Sequence, residues 1–145
     1  MPKWFVRNAL YIAWFQSLLA TLSSLYLSEF VHFPPCVLCW YQRVCMYPLA
    51  VIILVSILRK DKNVGMLVLP FSLVGMAIAL FHSLLQWKII PDAIAPCAQG
   101  VSCTTVQVSW LGFITIPFLS FVAFAIITFC VIAYHKFVLT HDKRN

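Results

Sequence analysis

Cys36 and Cys39 have two residues between them, with Arg43 four positions further on, in the run Cys36-Val-Leu-Cys39-Trp-Tyr-Gln-Arg43. A C-x-x-C dithiol can cycle between two thiols and a disulfide. At a helix N-terminus the unpaired backbone N–H groups favour its thiolate form. Cys39 and Arg43 are i and i+4, so on a helix they share one face, where the cation can stabilise a thiolate or a developing oxyanion. A second pair, Cys97 and Cys103, has five residues between its members. That spacing is wider than a usual zinc knuckle, and no metal site is expected from the four cysteines together. The remaining two, Cys45 and Cys130, fall inside apolar runs and are read as inert, buried thiols.

Two further side chains draw attention because charge and polarity are costly at lipid depth. Arg43 must snorkel or find a polar partner. His82, near the outer end of a later apolar run, has the chemistry of a hydrogen-bond donor or proton relay, or of a packed interfacial histidine. Glu29 and His32 read as solvated boundary residues.

The elements that position these groups follow from composition. The chain has 145 residues, 63% of them apolar and 10% charged, which describes a membrane protein with no room for a large soluble domain. Uncharged stretches run from Ala9 to Ser28, Val44 to Leu58, Val64 to Leu85 and Leu111 to Tyr134. Three of them reach the roughly 20 residues that a membrane-crossing helix requires. The second, at 15 residues, can cross only by taking in residues upstream, which draws the motif into its outer end. Pro34-Pro35 precedes it, where proline can lead a helix without costing an internal hydrogen bond. The expected architecture is an all-α integral membrane protein, a four-helix bundle forming a single domain over 1–145, with helices near 9–28, 37–58, 64–85 and 111–135. The outer loops then cover 29–36 and 86–110. Small residues, Ser17, Ala20, Ser23 and Ser24 in the first helix and Gly75, Ala77 and Ala79 in the third, are expected at helix contacts. The first run, long and lacking a small-x-small cleavage site, is read as a retained helix.

Basic residues set the orientation. Lys3, Arg7, Arg59, Lys60, Lys62, Lys136, Lys143 and Arg144 all fall on one side of this arrangement, and only Arg43 and Lys88 at or beyond the other. Both termini are therefore expected in the cytoplasm, with both outer cysteine pairs facing the compartment where disulfides persist. The net charge of +6 is dispersed over membrane-flanking positions, forms no patch, and gives no reason to expect nucleic-acid binding.

With these residues in place the chain resembles the DsbB-type thiol:quinone oxidoreductases, whose C-x-L-C-x-Y-Q-R stretch is met by Cys36, Leu38, Cys39, Tyr41, Gln42 and Arg43. The close spacing of Cys97 and Cys103 looks like the compact BdbC-type branch of Gram-positive bacteria. The resemblance implies an enzyme of the bacterial cytoplasmic membrane that reoxidises an extracytoplasmic thioredoxin-fold dithiol oxidase, DsbA-like or BdbD-like. In that reading Cys97 and Cys103 take electrons from the partner and pass them to Cys36 and Cys39. A membrane quinone, menaquinone favoured and ubiquinone possible, then accepts them, with Arg43 and His82 at its site and no metal or flavin. The absence of a glycine-rich dinucleotide fingerprint agrees with a lipid-soluble acceptor. Ile89 to Pro96, restricted by prolines, is expected to run extended beside Cys97 and to suit the groove of a thioredoxin-fold partner. Trp87 and Trp110 fit an interfacial belt. Two other classes are weighed: a VKOR-type quinone reductase, in which the two cysteine pairs come in the reverse order, and a non-enzymatic membrane subunit stapled by permanent disulfides.

Overall fold

The computed structural model describes residues 3–32, 34–91, 94, 102–103, 109–110 and 114–142. Four helices account for most of them: α1 (Lys3–Glu29), α2 (Val37–Arg59), α3 (Val64–Gln86) and α4 (Ile116–Asp142). Each contains a segment long and apolar enough to cross a membrane, Asn8–Glu29, Val37–Arg59, Val64–Gln86 and Ile116–Val138. Between α3 and α4 a two-residue strand β1 (Ser109–Trp110) pairs antiparallel with β2 (Ile114–Thr115), Ser109 opposite Thr115 and Trp110 opposite Ile114. The last uncharged run, which starts at Leu111, thus does not become helical at once: the chain first closes a short ladder, and Pro117 then sits in the opening turn of α4, where its missing N–H costs nothing.

Local chemistry explains where the helices stop. Cys36 is the N-cap of α2: its backbone is extended (φ −72°, ψ 170°) and its sulfur accepts the Cys39 N–H at 3.3 Å. At the other end Lys60 adopts the left-handed region (φ 53°), its N–H reaching back to Ile57 O, while Asp61 N–H donates to Ser56 O at 3.0 Å. The Asp61 carboxylate then accepts the Asn63 N–H at 2.8 Å, and this closes the turn into α3. His32 and Lys88 take the same left-handed conformation just beyond α1 and α3. In a chain with only four glycines, larger residues must fill these reversals.

The helices form a ring in which α1 packs on α2, α2 on α3, α3 on α4 and α4 on α1, while α2 and α4 scarcely touch across the diagonal. Ala9 and Ala13 of α1, Leu49 and Ile53 of α2, Val64, Val68 and Ala79 of α3, and Phe124, Ile127 and Val131 of α4 make up the centre. Gly75 permits the closest approach, because a Cβ there would run into the Phe124 ring. Large apolar side chains such as Val44, Val51, Leu58 and Met66 face outward, as a lipid environment allows. Buried hydroxyls return to their own helix: Ser17 donates to Trp14 O, Ser83 to Ala79 O and Thr128 to Phe124 O, each at 2.8 Å. No water is needed to satisfy these groups in hydrocarbon.

Not every small residue serves packing. Ala77 and Ser23 are exposed, and Ser24 has a different task, taken up below.

Candidate functional site

A second apolar cluster lies at the end of the bundle where α2 begins and α3 ends. Cys36, Leu38, Leu85 and Cys103 are buried together, with Cys39, Ile78, Phe81 and Ile90 packed against them. The cap geometry of Cys36 and the first helical turn bring the two sulfurs of the C-x-x-C pair to 2.8 Å, both as free thiols. Cys103 is engaged in a disulfide. Cys97 and most of the loop around it lie outside the described residues. The described part of the segment expected to run extended beside it is turned instead: Ile89 and Ile90 N–H both reach back to Leu84 O, and Ile94 N–H donates to Pro91 O at 3.2 Å.

His82 projects from α3 into this cluster and is almost fully buried. Its Nε2 stands 3.1 Å from the Cys103 carbonyl oxygen and 3.7 Å from Cys36 Sγ. Its Nδ1 is 3.1 Å from the Gln42 amide nitrogen on α2. A carbonyl only accepts, so Nε2 carries the proton and Nδ1 accepts from Gln42. The hydrogen bond from the Cys39 thiol, and after it the one from His82, hold the Cys36 thiol far below its usual range, at about 4, although burial opposes this. The Cys36 and Cys103 sulfurs and the His82 ring nitrogen lie within 4.8 Å of one another, the spacing of soft-cation ligands. With Cys103 tied in a disulfide its sulfur is no thiolate, and two donors fall short of the tetrahedral set that zinc takes.

The other face of α2 borders a cavity of about 320 Å³ between α1, α2 and α4. Its walls are mainly apolar, Leu19 and Leu27 from α1, Met46 from α2 and Ile116 and Val122 from α4, and Cys39, Gln42, Arg43 and Tyr47 converge on it. Cys39, Arg43 and Tyr47 are successive i, i+4 positions, which explains their common face. Arg43 is fixed from α1: Nε donates to Ser24 Oγ at 2.8 Å, and Nη2 donates to Ser24 O at 3.0 Å and to Ser28 Oγ. Its guanidinium also lies 5.5 Å from the centre of the Trp40 ring. These contacts answer how a cation is held at this depth without a carboxylate.

The Tyr47 hydroxyl is buried and finds no hydrogen-bond partner among the described residues. An apolar slot with an arginine, an amide, a thiol and an unsatisfied phenol suits a flat, lipid-soluble ring carrying carbonyl oxygens. His82 is not among the residues that line this cavity; the structure places it with Cys36 and Cys103 instead. Cys45 and Cys130 are buried free thiols within the central core, away from both features.

Sequence reasoning passed over Gln42 as a functional residue, and it passed over Tyr47 and Ser24. Gln42 carried a signal, since an amide in a membrane helix must find a partner. Tyr47 carried another in its i+4 step from Arg43. Ser24 carried none, because its role depends on which face of α1 meets α2.

Comparison with known proteins follows the same outline. Residues 6–134 match the family model described as disulfide bond formation protein DsbB. A "probable disulfide formation protein C" of Halalkalibacterium halodurans is 46% identical over 126 residues, covering 86% of this chain and 91% of the relative. The "disulfide bond formation protein C" of Bacillus subtilis is 45% identical over 118 residues, covering 81% and 86%. A "probable disulfide formation protein" of Metapseudomonas resinovorans is 39% identical over 132 residues, covering 90% and 92%. No solved structure matches.

Proposed function

The chain belongs to the DsbB family, redox-active membrane proteins of disulfide bond formation, and from that premise we propose that it is a protein-dithiol:quinone oxidoreductase. The observation that carries this reading is the position of one dithiol between two surroundings: Cys36 against the disulfide-bonded Cys103 and His82, Cys39 on the apolar cavity.

In this reading a reduced thioredoxin-fold oxidase on the extracytoplasmic side attacks the Cys97–Cys103 disulfide. A mixed disulfide forms, the partner's second thiol displaces it, and the partner leaves oxidised with the loop pair reduced. The loop dithiol then reduces a Cys36–Cys39 disulfide by the same two exchanges. Two electrons and two protons move at each stage, and the number of disulfides is unchanged. A quinone held in the cavity would supply the two-electron oxidant for re-forming the Cys36–Cys39 disulfide. Arg43, Gln42 and Tyr47 are the residues that hold its ring: Arg43 places positive charge where oxygen gains electron density, and the phenol and amide donate hydrogen bonds. The low-lying Cys36 thiolate makes the reduced pair stable and the oxidised pair a strong oxidant, as the flow of electrons requires. Two permanent staples would fit less well with free thiols at Cys36 and Cys39 beside a disulfide at Cys103.

The site faces outward in this proposal, with both termini in the cytoplasm of a bacterium, because the basic ends of α1, α2 and α4 gather at the opposite end of the bundle. Menaquinone is the favoured acceptor, by resemblance to the Gram-positive branch. The test is quinone reduction by the purified protein in lipid, driven by a reduced thioredoxin-fold oxidase, with Cys39→Ser as control. Catalytic, cysteine-dependent quinol formation is expected, with a lower KM for menaquinone than for ubiquinone. No turnover with either quinone, from folded protein and a reactive partner, would overturn the proposal.

A further inference from the structure

Gln42, like Cys39, touches both halves of the site. Gln42 lines the cavity, and its amide also donates to His82 Nδ1 at 3.1 Å. On the far side of the ring Nε2–H donates to the Cys103 carbonyl oxygen at 3.1 Å, a bond that only the tautomer favoured by Gln42 makes. The same Nε2–H faces Cys36 Sγ at 3.7 Å. Gln42 is nearly buried and His82 almost wholly so, and water therefore does not compete freely for these bonds.

We propose that Gln42 is a positioning residue for exchange between the two cysteine pairs: it holds His82 as the Nε2–H tautomer, so that the ring donates to Cys36 sulfur as that sulfur becomes a thiolate. This inference rests on the two-pair relay proposed above. In the forward direction the Cys103 thiolate attacks Cys36 Sγ; the Cys103–Cys36 bond forms, the Cys36–Cys39 bond breaks, and Cys39 leaves as the thiolate. Cys97 then attacks Cys103, re-forming the loop disulfide and releasing Cys36. Cys36 is thus the leaving group of the second exchange, and charge builds on the sulfur that His82 Nε2–H faces. A ring with its proton on Nδ1 would present a lone pair to both the thiolate and the Cys103 carbonyl, and would repel both. The role belongs to the thiol side of α2, so it is separable from any part Gln42 plays in the cavity.

The experiment uses the full-length protein in lipid nanodiscs without quinone. Nitrogen-15 spectra of labelled histidine report the tautomer. Single-turnover transfer from loop pair to inner pair, started with a reduced thioredoxin-fold oxidase and followed by acid quench, alkylation and mass analysis, reports the rate. Gln42→Met, which fills the same space and cannot donate, should yield a mixture of tautomers and slow transfer by on the order of tenfold; His82→Phe should slow it by on the order of a hundredfold. Gln42→Glu accepts at Nδ1 while Nε2 still donates to the Cys103 carbonyl, so its spectrum should be that of an imidazolium with both ring nitrogens protonated. A residue needed only for packing would not separate these two substitutions. Should Gln42→Met fail to fold, Gln42→Leu takes its place, with the same expectation. An unchanged tautomer and rate in Gln42→Met, or a histidine spectrum in Gln42→Glu identical to that in Gln42→Met, overturns the inference alone. Absence of any transfer between pairs in the unmodified protein overturns the relay and the inference with it.

Discussion

Removing one oxygen from Tyr47 separates ligand binding from folding, because its hydroxyl bonds to none of the described residues. Tyr47→Phe should leave thermal unfolding in detergent unchanged and raise the quinone KM roughly fivefold, the value of one hydrogen bond of about 1 kcal/mol. Arg43→Ala removes three donors from Ser24 and Ser28 as well as the charge on the cavity. It should weaken quinone coupling more than it weakens the fold; steady-state kinetics indistinguishable from the unmodified protein would take Arg43 out of the site. Cys36 supports a prediction in pH. Its thiol is lowered to about 4, so the thiolate persists as pH falls from 8 through 5 and is lost only on approaching 4. Alkylation of Cys36 in the reduced protein should stay nearly flat over that window, where an ordinary thiol, with a pKa of about 8.5, would slow about tenfold per unit. A steep decline between pH 8 and 6 would show that the hydrogen bonds from Cys39 and His82 do not hold in solution. At this scale the sequence was legible wherever spacing alone set a common face, as with Cys39 and Arg43. It was silent where a second helix decided the partner. His82 illustrates the division, since its depth could be read from its place in an apolar run, whereas the direction of its ring, toward Cys36 and away from the cavity, depends on how α3 is rotated against α2.

Four membrane crossings were readable because absence of charge over a long run is a strong and purely local signal. Their adjacency was not, because lipid-facing and buried apolar residues look alike in sequence: exposed Val51 and buried Ile53 lie two residues apart in α2. The short β1–β2 pair escaped notice for a related reason, lying in a mixed segment with no periodicity to separate strand from helix. Glycine was a better guide. Gly75 reads as a packing position, and the ring of Phe124 occupies the space its missing side chain leaves. Gly75→Val should force α3 and α4 apart and cost about 1–3 kcal/mol, the usual range for overpacking, measured as a lowered midpoint of unfolding in mixed micelles. Gly75→Ala combined with Phe124→Leu should recover much of the loss. If Gly75→Val unfolds at the midpoint of the unmodified protein, the α3–α4 seam is looser than the structure has it.

Across the whole molecule, the ring order places α2 as the shared wall between two regions. The Cys103 and His82 cluster lies on its α3 side, and the cavity lies between it, α1 and α4. The dispersed basic residues give an expected orientation that is open to direct test: a cysteine introduced at Lys60, in a chain whose other thiols are blocked, should resist impermeant maleimide added outside whole cells and react once the membrane is opened. The partition has a kinetic corollary. A wall one helix thick, about 10 Å, lets electrons pass by way of sulfur while no two reactants need share a chamber. In the proposed relay a soluble dithiol protein and an oily acceptor react on opposite sides of α2 and form no ternary encounter. Initial rates measured against one reactant at several fixed levels of the other should therefore give parallel double-reciprocal lines, the mark of an enzyme that alternates between its customers.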